Sequence, residues 1–297
     1  MQPSIPVVDL HDGDLAEGLG SALAEVGFVA VQGHGIDLDL VRQGYATAAE
    51  LFALPPDIKR RYETPENGRQ RGYTSFGVEH AKDVAMPDLK EFWHVGRKLP
   101  RDHALRVSGE VPPNLFPSEL PVSRIVFQRL FDQMEGFANR LLDAYGRYLG
   151  VPEGFFRGLV RDGNSVMRLI HYPELGDGTL GGSVRAAAHE DINLITVLPW
   201  SPQGGLQIQP RDGSWFDVRT PPDVMICDTG DMMALLTGIP ATTHRVVNPM
   251  ERDESRYSMP FFLHPHPDAR LEPLDGSAEG VAARDFLRKR LEEIGVA

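Results

Sequence analysis

His189-Glu190-Asp191-Ile192-Asn193-Leu194-Ile195-Thr196-Val197-Leu198 sets a polar triplet directly before a β-branched apolar run. Branched side chains suit a pleated surface, so Leu194–Leu198 reads as a short buried strand. Similar runs lie on both sides of it. Val166–Ile170 precedes it, and Leu206–Gln209, Trp215–Val218, Val224–Cys227, Met232–Leu236, Arg245–Val247 and Tyr257–Leu263 follow. Turn signals at Gly204-Gly205, Asp212-Gly213 and Thr229-Gly230-Asp231 separate most of them. Many short strands at regular spacing predict a β-sandwich or barrel over residues 165–265.

Upstream the pattern is helical. Val122, Val126, Leu130, Met134, Phe137, Leu141, Tyr145 and Leu149 recur at steps of three and four, which predicts one packing helix over residues 122–149. Residues 15–26 and 38–54 read as further helices, the second stopped by Pro55-Pro56. Between the first two lies the strand Phe28-Val29-Ala30-Val31, and Ile5-Pro6-Val7-Val8-Asp9-Leu10 reads as an edge strand. Residues 64–115 are rich in Pro, Gly and charge and read as a long binding loop. An amphipathic helix over 279–295 closes the chain, with Phe286, Leu287, Leu291 and Ile294 inward.

The formal net charge of −12 argues against a nucleic-acid partner, which would call for a basic face. A single cysteine, Cys227, allows no intrachain disulfide and fits a reducing, cytoplasmic setting. No secretory signal is visible at the N-terminus, and no apolar run approaches the ~20 residues of a membrane helix. The sequence leaves monomer and homodimer equally open.

In extended backbone, residues i and i+2 project to the same face. His189 and Asp191 therefore converge on one point, and Glu190 points the other way. About one His-x-Asp triplet is expected by chance in a chain of this composition, so the triplet alone is a weak signal. A second copy, His266-Pro267-Asp268, follows the last strand with no later histidine to complete it and reads as a surface turn. His244 is the candidate third ligand. Two imidazoles and one carboxylate on one face of an octahedron leave three positions open, the arrangement of non-haem iron(II) oxygenases. Downstream, Arg256 and Ser258 are again i and i+2, and a guanidinium fork beside a hydroxyl suits a carboxylate.

These residues, in this order, resemble the isopenicillin N synthase-like branch of the 2-oxoglutarate/iron(II) oxygenases. The likeness runs from Ile5-Pro6-Val7-Val8-Asp9-Leu10 and Gly27-Phe28…Gly33-His34-Gly35-Ile36, through Gly205-Leu206-Gln207, Trp215 and Gly230-Asp231, to His244-Arg245-Val246 and Arg256-x-Ser258. It implies a mainly β fold with flanking helices: a double-stranded β-helix (jelly-roll) core wrapped by N-terminal helices. It also implies four regions. Residues 1–120 would carry the N-terminal helices and substrate loops, and 121–164 the packing helix and a connector. Residues 165–265 would form the catalytic core, and 266–297 a tail with its helix.

By the same resemblance His189, Asp191 and His244 would hold Fe(II). Arg256, Ser258 and Tyr172 would bind 2-oxoglutarate, which is consumed with O2 to give succinate and CO2 while a small organic molecule is hydroxylated, desaturated or cyclised. Arg71, Tyr73, Phe76, Phe92, Trp93, His94, His171 and Phe262 are the candidates to line the substrate pocket, with Arg71 reading a substrate carboxylate. The sequence departs from the common pattern at Ile170, His171 and Glu190. Two other readings stay open: an isopenicillin N synthase-like or ascorbate-using oxidase that needs no 2-oxoglutarate, and a non-catalytic iron/2-oxoglutarate-binding sensor.

Overall fold

Two sheets facing each other organise the chain, and the computed structural model describes them over residues 4–79, 88–174, 185–201, 203–211, 213–247 and 254–294. Strands β1 (Val7–Asp9), β2 (Phe28–Gln32), β3 (Gly72–Thr74), β4 (Glu91–Gly96) and β5 (Val166–Tyr172) come first. They are followed by β6 (Ala186–His189), β7 (Ile195–Pro199), β8 (Leu206–Gln209), β9 (Phe216–Asp217) and β10 (Met225–Thr229). Then come β11 (Thr243–Val246), β12 (Arg256–Ser258), β13 (Phe261–Leu263), β14 (Arg270–Leu271) and β15 (Val281–Ala282). The larger sheet runs β1-β2-β10-β7-β13-β5-β4-β3, with β12 also paired to β5. The smaller runs β6-β11-β8-β9, and β14 pairs β15 apart from both. This is a double-stranded β-helix with helices on its outside.

The helices are α1 (Leu15–Glu25), α2 (Leu38–Phe52), α3 (Pro56–Arg60), α4 (Ala104–Val107), α5 (Val122–Tyr148), α6 (Phe155–Val160), α7 (Asp231–Thr237) and α8 (Ala283–Glu293). Asp37 caps α2, its carboxylate accepting from the N–H groups of Asp39 and Leu40 at 2.9 and 3.2 Å. The three- and four-residue spacing along α5 buries Val126, Leu130, Met134, Phe137, Leu141 and Tyr145 against the larger sheet, and only Val122 of the stripe is exposed. Among the described residues no helix is long and apolar enough to cross a membrane.

The two faces of the larger sheet do different work. Met167, Leu169, Trp93 and Val95 alternate toward the helices and join the main core. Between the sheets, Phe28, Ala30, Leu206, Ile208, Val224 and Ile226 form a second apolar cluster. The same alternation sends Arg168, Ile170 and Tyr172 of β5 to the inner face, where they line a cavity. That cavity is the site.

Several expectations need correction. Met232–Leu236 is helical, within α7, because its Met, Ala and Leu residues, none of them branched at Cβ, favour a helix and bury Met232, Met233 and Leu236 on one side. Tyr257–Leu263 splits into β12 and β13 at Met259-Pro260, since a proline has no N–H to give the ladder. The stretch 64–115 is not one loop: β3 and β4 add to the larger sheet. Ala186–His189, where Ala runs carry little strand signal, is a strand. His266-Pro267-Asp268, by contrast, is a turn as its sequence reads, with His266 Nδ1 accepting from the Asp268 N–H at 3.0 Å.

Leu141 is fully buried on α5 and Ile125 is 61% exposed on the same helix. Leu141→Ala should therefore lower unfolding free energy by about 2–5 kcal/mol in urea titration, and Ile125→Ala by no more than ~0.5 kcal/mol. Equal effects would contradict the orientation of α5.

Candidate metal and co-substrate site

β6 and β11 pair antiparallel with His189 directly opposite His244. Their rings are 4.4 Å apart between centroids. Asp191 follows just beyond the end of β6, with its Oδ1 3.8 Å from His244 Nε2. One ligand atom from each of His189, Asp191 and His244 lies within 4.8 Å of the other two. That is the spacing of donors around a single ion.

Each donor is oriented from behind. The Nδ1–H of His189 donates to the Ala187 carbonyl at 2.7 Å, and that of His244 to the Thr242 carbonyl at 3.3 Å. This tautomer leaves Nε2 of both rings with a free lone pair. Asp191 Oδ2 accepts from the Thr196 hydroxyl, which itself accepts from Asn193 Nδ2 at 3.1 Å. Asp191 Oδ1 is left for the centre. Burial, then the charge of His244, pushes His189 down to about 4, so its imidazole is neutral near pH 7. Glu190 is bonded to the Thr243 hydroxyl and stands outside the trio.

The N-terminus of α7 fixes the loop that carries Asp191. The Asp231 N–H donates to the Asp191 carbonyl at 2.7 Å and the Met232 N–H to the Ile192 carbonyl at 3.1 Å. A Cβ at Gly230 would fall 2.5 Å from the Asn193 carbonyl oxygen and 2.6 Å from that of Asp191, so only glycine permits this approach. Arg290 of α8 reaches Asp231 at 2.5 Å, which ties the last helix to the same loop.

The trio sits in the wall of a cavity of about 330 Å³. Arg256, Ser258 and Tyr172 line it as well. Arg256 donates through Nε to the carbonyls of Gln203 and Gly204 at 3.2 and 3.0 Å. Its guanidinium carbon lies 5.1 Å from the centre of the Tyr172 ring. Its Nη1 is buried and has no hydrogen-bond partner. A buried donor without an acceptor is costly, and an anionic ligand in the cavity would supply the acceptor. A donor set of two imidazoles and a carboxylate, open toward the cavity, fits iron(II), and the Arg256 side of the cavity fits a carboxylate of 2-oxoglutarate.

The substrate-side expectations divide. His94 and Phe262 line the cavity. Phe92 lies behind its wall, packed with Ile170, Tyr172, Ala186 and Val246. Arg71, Tyr73, Phe76, Trp93 and His171 do not line it. Arg71 is fully buried, donating to Asn164 Oδ1 at 2.8 Å and the Gln70 carbonyl at 2.6 Å, and burial pushes it down to about 9. It pins the chain around β3 and cannot read a substrate carboxylate in this cavity. Trp93 donates to the Leu115 carbonyl at 3.1 Å, and Phe76 is an exposed surface ring.

Tyr73 and His171 belong to a network on the helix side of the sheet. There Glu91 accepts from Tyr73, from Lys59 at 2.7 Å and from His171 at 2.8 Å. β5 alternates, so its odd-numbered His171 turns away from the cavity that Arg168, Ile170 and Tyr172 face.

Sequence reasoning missed Arg168, Glu79, Lys90 and Asp88, which also line the cavity. The signal for Arg168 was available, in its two-residue step to Ile170 and Tyr172. Glu79, Asp88 and Lys90 fall in a stretch without periodicity.

Burial and then the Arg168 charge hold His94 well below 6.5, and burial pushes His264 down to about 4. Unfolding lets both take up a proton below pH 6.5. Because the folded values are the depressed ones, stability is intact above 6.5 and is lost as pH falls from there toward 4. The midpoint of thermal unfolding of metal-free protein should drop over that range, by up to about 1.4 kcal/mol of stability per pH unit for each histidine. The double variant His94→Gln/His264→Gln should flatten the profile; an unaltered slope would show that neither ring is held neutral.

The chain is similar to known proteins over most of its length. The model for the N-terminal part of non-haem dioxygenases in morphine synthesis matches residues 5–119, and that for the 2OG-Fe(II) oxygenase superfamily matches residues 163–265. A 2-oxoglutarate-dependent dioxygenase of Monascus ruber is 31% identical over 280 residues, covering 90% of this chain and 83% of that protein. Gibberellin 20 oxidase 2 of Oryza sativa subsp. indica is 33% identical, covering 95% and 73%. Among solved structures, a 2OG-Fe(II) oxygenase family protein from Caulobacter crescentus superposes with a TM-score of 0.87 at 36% identity, covering 97% of this chain and 98% of its own. A full-length Neurospora crassa protein in complex with alpha-KG and thymine superposes at 0.84 with 26% identity, covering 97% and 96%.

Proposed function

This chain belongs to the 2OG-Fe(II) oxygenase superfamily, as an iron(II)- and 2-oxoglutarate-dependent dioxygenase, and from that premise we propose that His189, Asp191 and His244 hold the iron and that Arg256, Ser258 and Tyr172 hold the co-substrate. The observation that carries the assignment is the convergence of three donor atoms within 4.8 Å in the wall of a cavity. The proposed reaction is hydroxylation of a small organic molecule, or its desaturation or ring closure. The order of motifs along the chain supports a place in the isopenicillin N synthase-like branch.

With iron and 2-oxoglutarate bound, the site supplies oxidation by O2 of an unactivated C–H bond, with succinate and CO2 as co-products. The protein's own part is placement. Ala187 and Thr242 hold the two rings in one tautomer, and Thr196 turns Asp191 so that one oxygen faces the centre. Arg256 is fixed through Nε by two carbonyls, which leaves its buried Nη1 without a partner in the protein. Leu287, Leu291 and Ile294 of the last helix and its end add an apolar wall that excludes water. In this reading residues 165–265 are the catalytic core and 1–120 supply part of the substrate wall through His94. Residues 121–164 form the packing helix and connector, and 266–297 the closing tail.

Anaerobic addition of iron(II) and then 2-oxoglutarate should give a weak visible charge-transfer band. His189→Ala, Asp191→Ala and His244→Ala should each abolish the band and O2-dependent succinate release. Full succinate release by any of the three would remove that residue from the site. Arg256→Leu should raise the 2-oxoglutarate concentration needed by roughly 10- to 100-fold, the worth of charge-assisted hydrogen bonds. Thr196→Val should weaken iron affinity about 10- to 100-fold by freeing Asp191 to rotate. Iron affinity unchanged in that variant would show that the Asp191 rotamer does not depend on the hydroxyl.

A further inference from the structure

Across the cavity, Arg168 is held on three sides. Its Nε–H donates to His94 Nε2 at 2.7 Å, and its Nη1 to Glu79 Oε1 at 2.8 Å. Its guanidinium carbon lies 4.3 Å from the centre of the Phe92 ring and 5.5 Å from that of Phe262. Stacked and doubly bonded, it cannot swing to meet a ligand. With Nε and Nη1 engaged, Nη2 is the donor left for the cavity.

Glu79 is the other half. It is 6% exposed and lines the cavity. Its Oε1 also accepts from Lys90 at 2.7 Å, while its Oε2 is buried with no hydrogen-bond partner. Burial works against its charge, but Arg168 and Lys90 outweigh burial and hold the carboxyl below the usual range. The carboxylate is therefore ionised, and one of its oxygens lacks a donor.

The charges of this wall cancel. Arg168 and Lys90 are matched by Glu79 and by Asp88, whose Oδ2 lies 2.8 Å from Lys90 and whose Oδ1 accepts from the Ala187 N–H at 3.0 Å. His94 is held neutral by burial, its Nδ1–H given to the Arg69 carbonyl at 2.8 Å. A substrate carboxylate here would lie beside the unpartnered Glu79 oxygen with no surplus cation to compensate it. An ammonium would meet Arg168 and Lys90. Both meet unfavourable like charge in a poorly solvated wall.

We infer that Arg168 and Glu79 form the substrate-recognition pair, and that they read a neutral flat ring carrying a carbonyl next to an N–H, the edge of a cyclic amide. The carbonyl accepts from Arg168 Nη2 and the N–H donates to Glu79 Oε2. Phe262, Val166 and Ile170 line the same cavity and supply apolar surface for the body of the ring. This deepens the iron/2-oxoglutarate reading and rests on it, since it takes the cavity as the substrate site. It also replaces the expectation that Arg71 would bind a substrate carboxylate.

The test compares binding of 2-pyridone, 1-methyl-2-pyridone and benzoate to the full chain by saturation-transfer NMR titration, with and without iron(II) and 2-oxoglutarate under nitrogen. 2-Pyridone should bind at least about tenfold more tightly than either comparator, because each leaves a buried polar group unpaired or repelled. Glu79→Gln should erase that preference and favour benzoate, since it leaves the wall with one uncompensated cation. If Glu79→Gln does not fold, judged by its unfolding curve, the N-methyl comparison on the unaltered protein decides alone. Equal binding of 1-methyl-2-pyridone, or tighter binding of benzoate, overturns the inference. The charge-transfer band, recorded on the same samples, separates the two claims. Its absence alongside selective 2-pyridone binding would count against the iron assignment only, and its presence without selectivity would count against the Arg168–Glu79 pair only.

Discussion

The antiparallel pairing of β6 with β11 is the constraint on which the site depends. His189 and His244 face one another because residue 189 is in register with residue 244, and the ladder then shifts before Val246 meets Ala186. Side chains alternate along a strand, so a slip of one residue would turn His244 to the opposite face. The irregularity between His244 and Val246 adds local twist where the strand passes the centre, a common place for such features. Asp191 needs a separate device, because it lies past the end of β6. The start of α7 provides it, through backbone bonds that only a glycine at 230 lets come so near.

β4 and β5 carry two buried polar networks back to back. On the helix side Glu91 gathers Lys59, Tyr73 and His171, and His171 stacks on Tyr257 at 4.8 Å between ring centres. On the cavity side Arg168, His94, Glu79, Lys90 and Asp88 form the other. Within each network the charges have opposite partners, which is what burial demands. The outer network braces the strand that carries Arg256 and Ser258, since Tyr257 sits between them and in register with His171. The inner one lines the cavity.

How much of this was legible in the sequence depends on how local the signal is. Period-two alternation put Arg256 and Ser258 on one face, and both line the cavity. The 122–149 stripe and the short-strand spacing gave the helix and the β core. His244 could be named only as a candidate, strengthened by the resemblance in motif order, because pairing across fifty residues leaves no local trace. Met232–Leu236 misled because a five-residue apolar run has no period of its own. The aromatics of β3 and β4 misled for another reason: Tyr73 and Trp93 are as apolar as pocket residues, and only strand pairing decides which face they take. Glu79, Asp88 and Lys90 were illegible because their pairing is wholly tertiary.

One strand has a consequence for the life of the chain on the ribosome. β2, residues 28–32, lies between β1 and β10, and its partner residues 225–228 are translated almost two hundred positions later. Until they emerge, a strand of Phe28, Val29, Ala30 and Val31 has one edge unpaired, the kind of surface that invites wrong partners. β11, with the last of the three donors, emerges later still. The three candidate donors therefore cannot converge until residues 243–246 have been made, when the strands from β12 onward and the last helix are still to come.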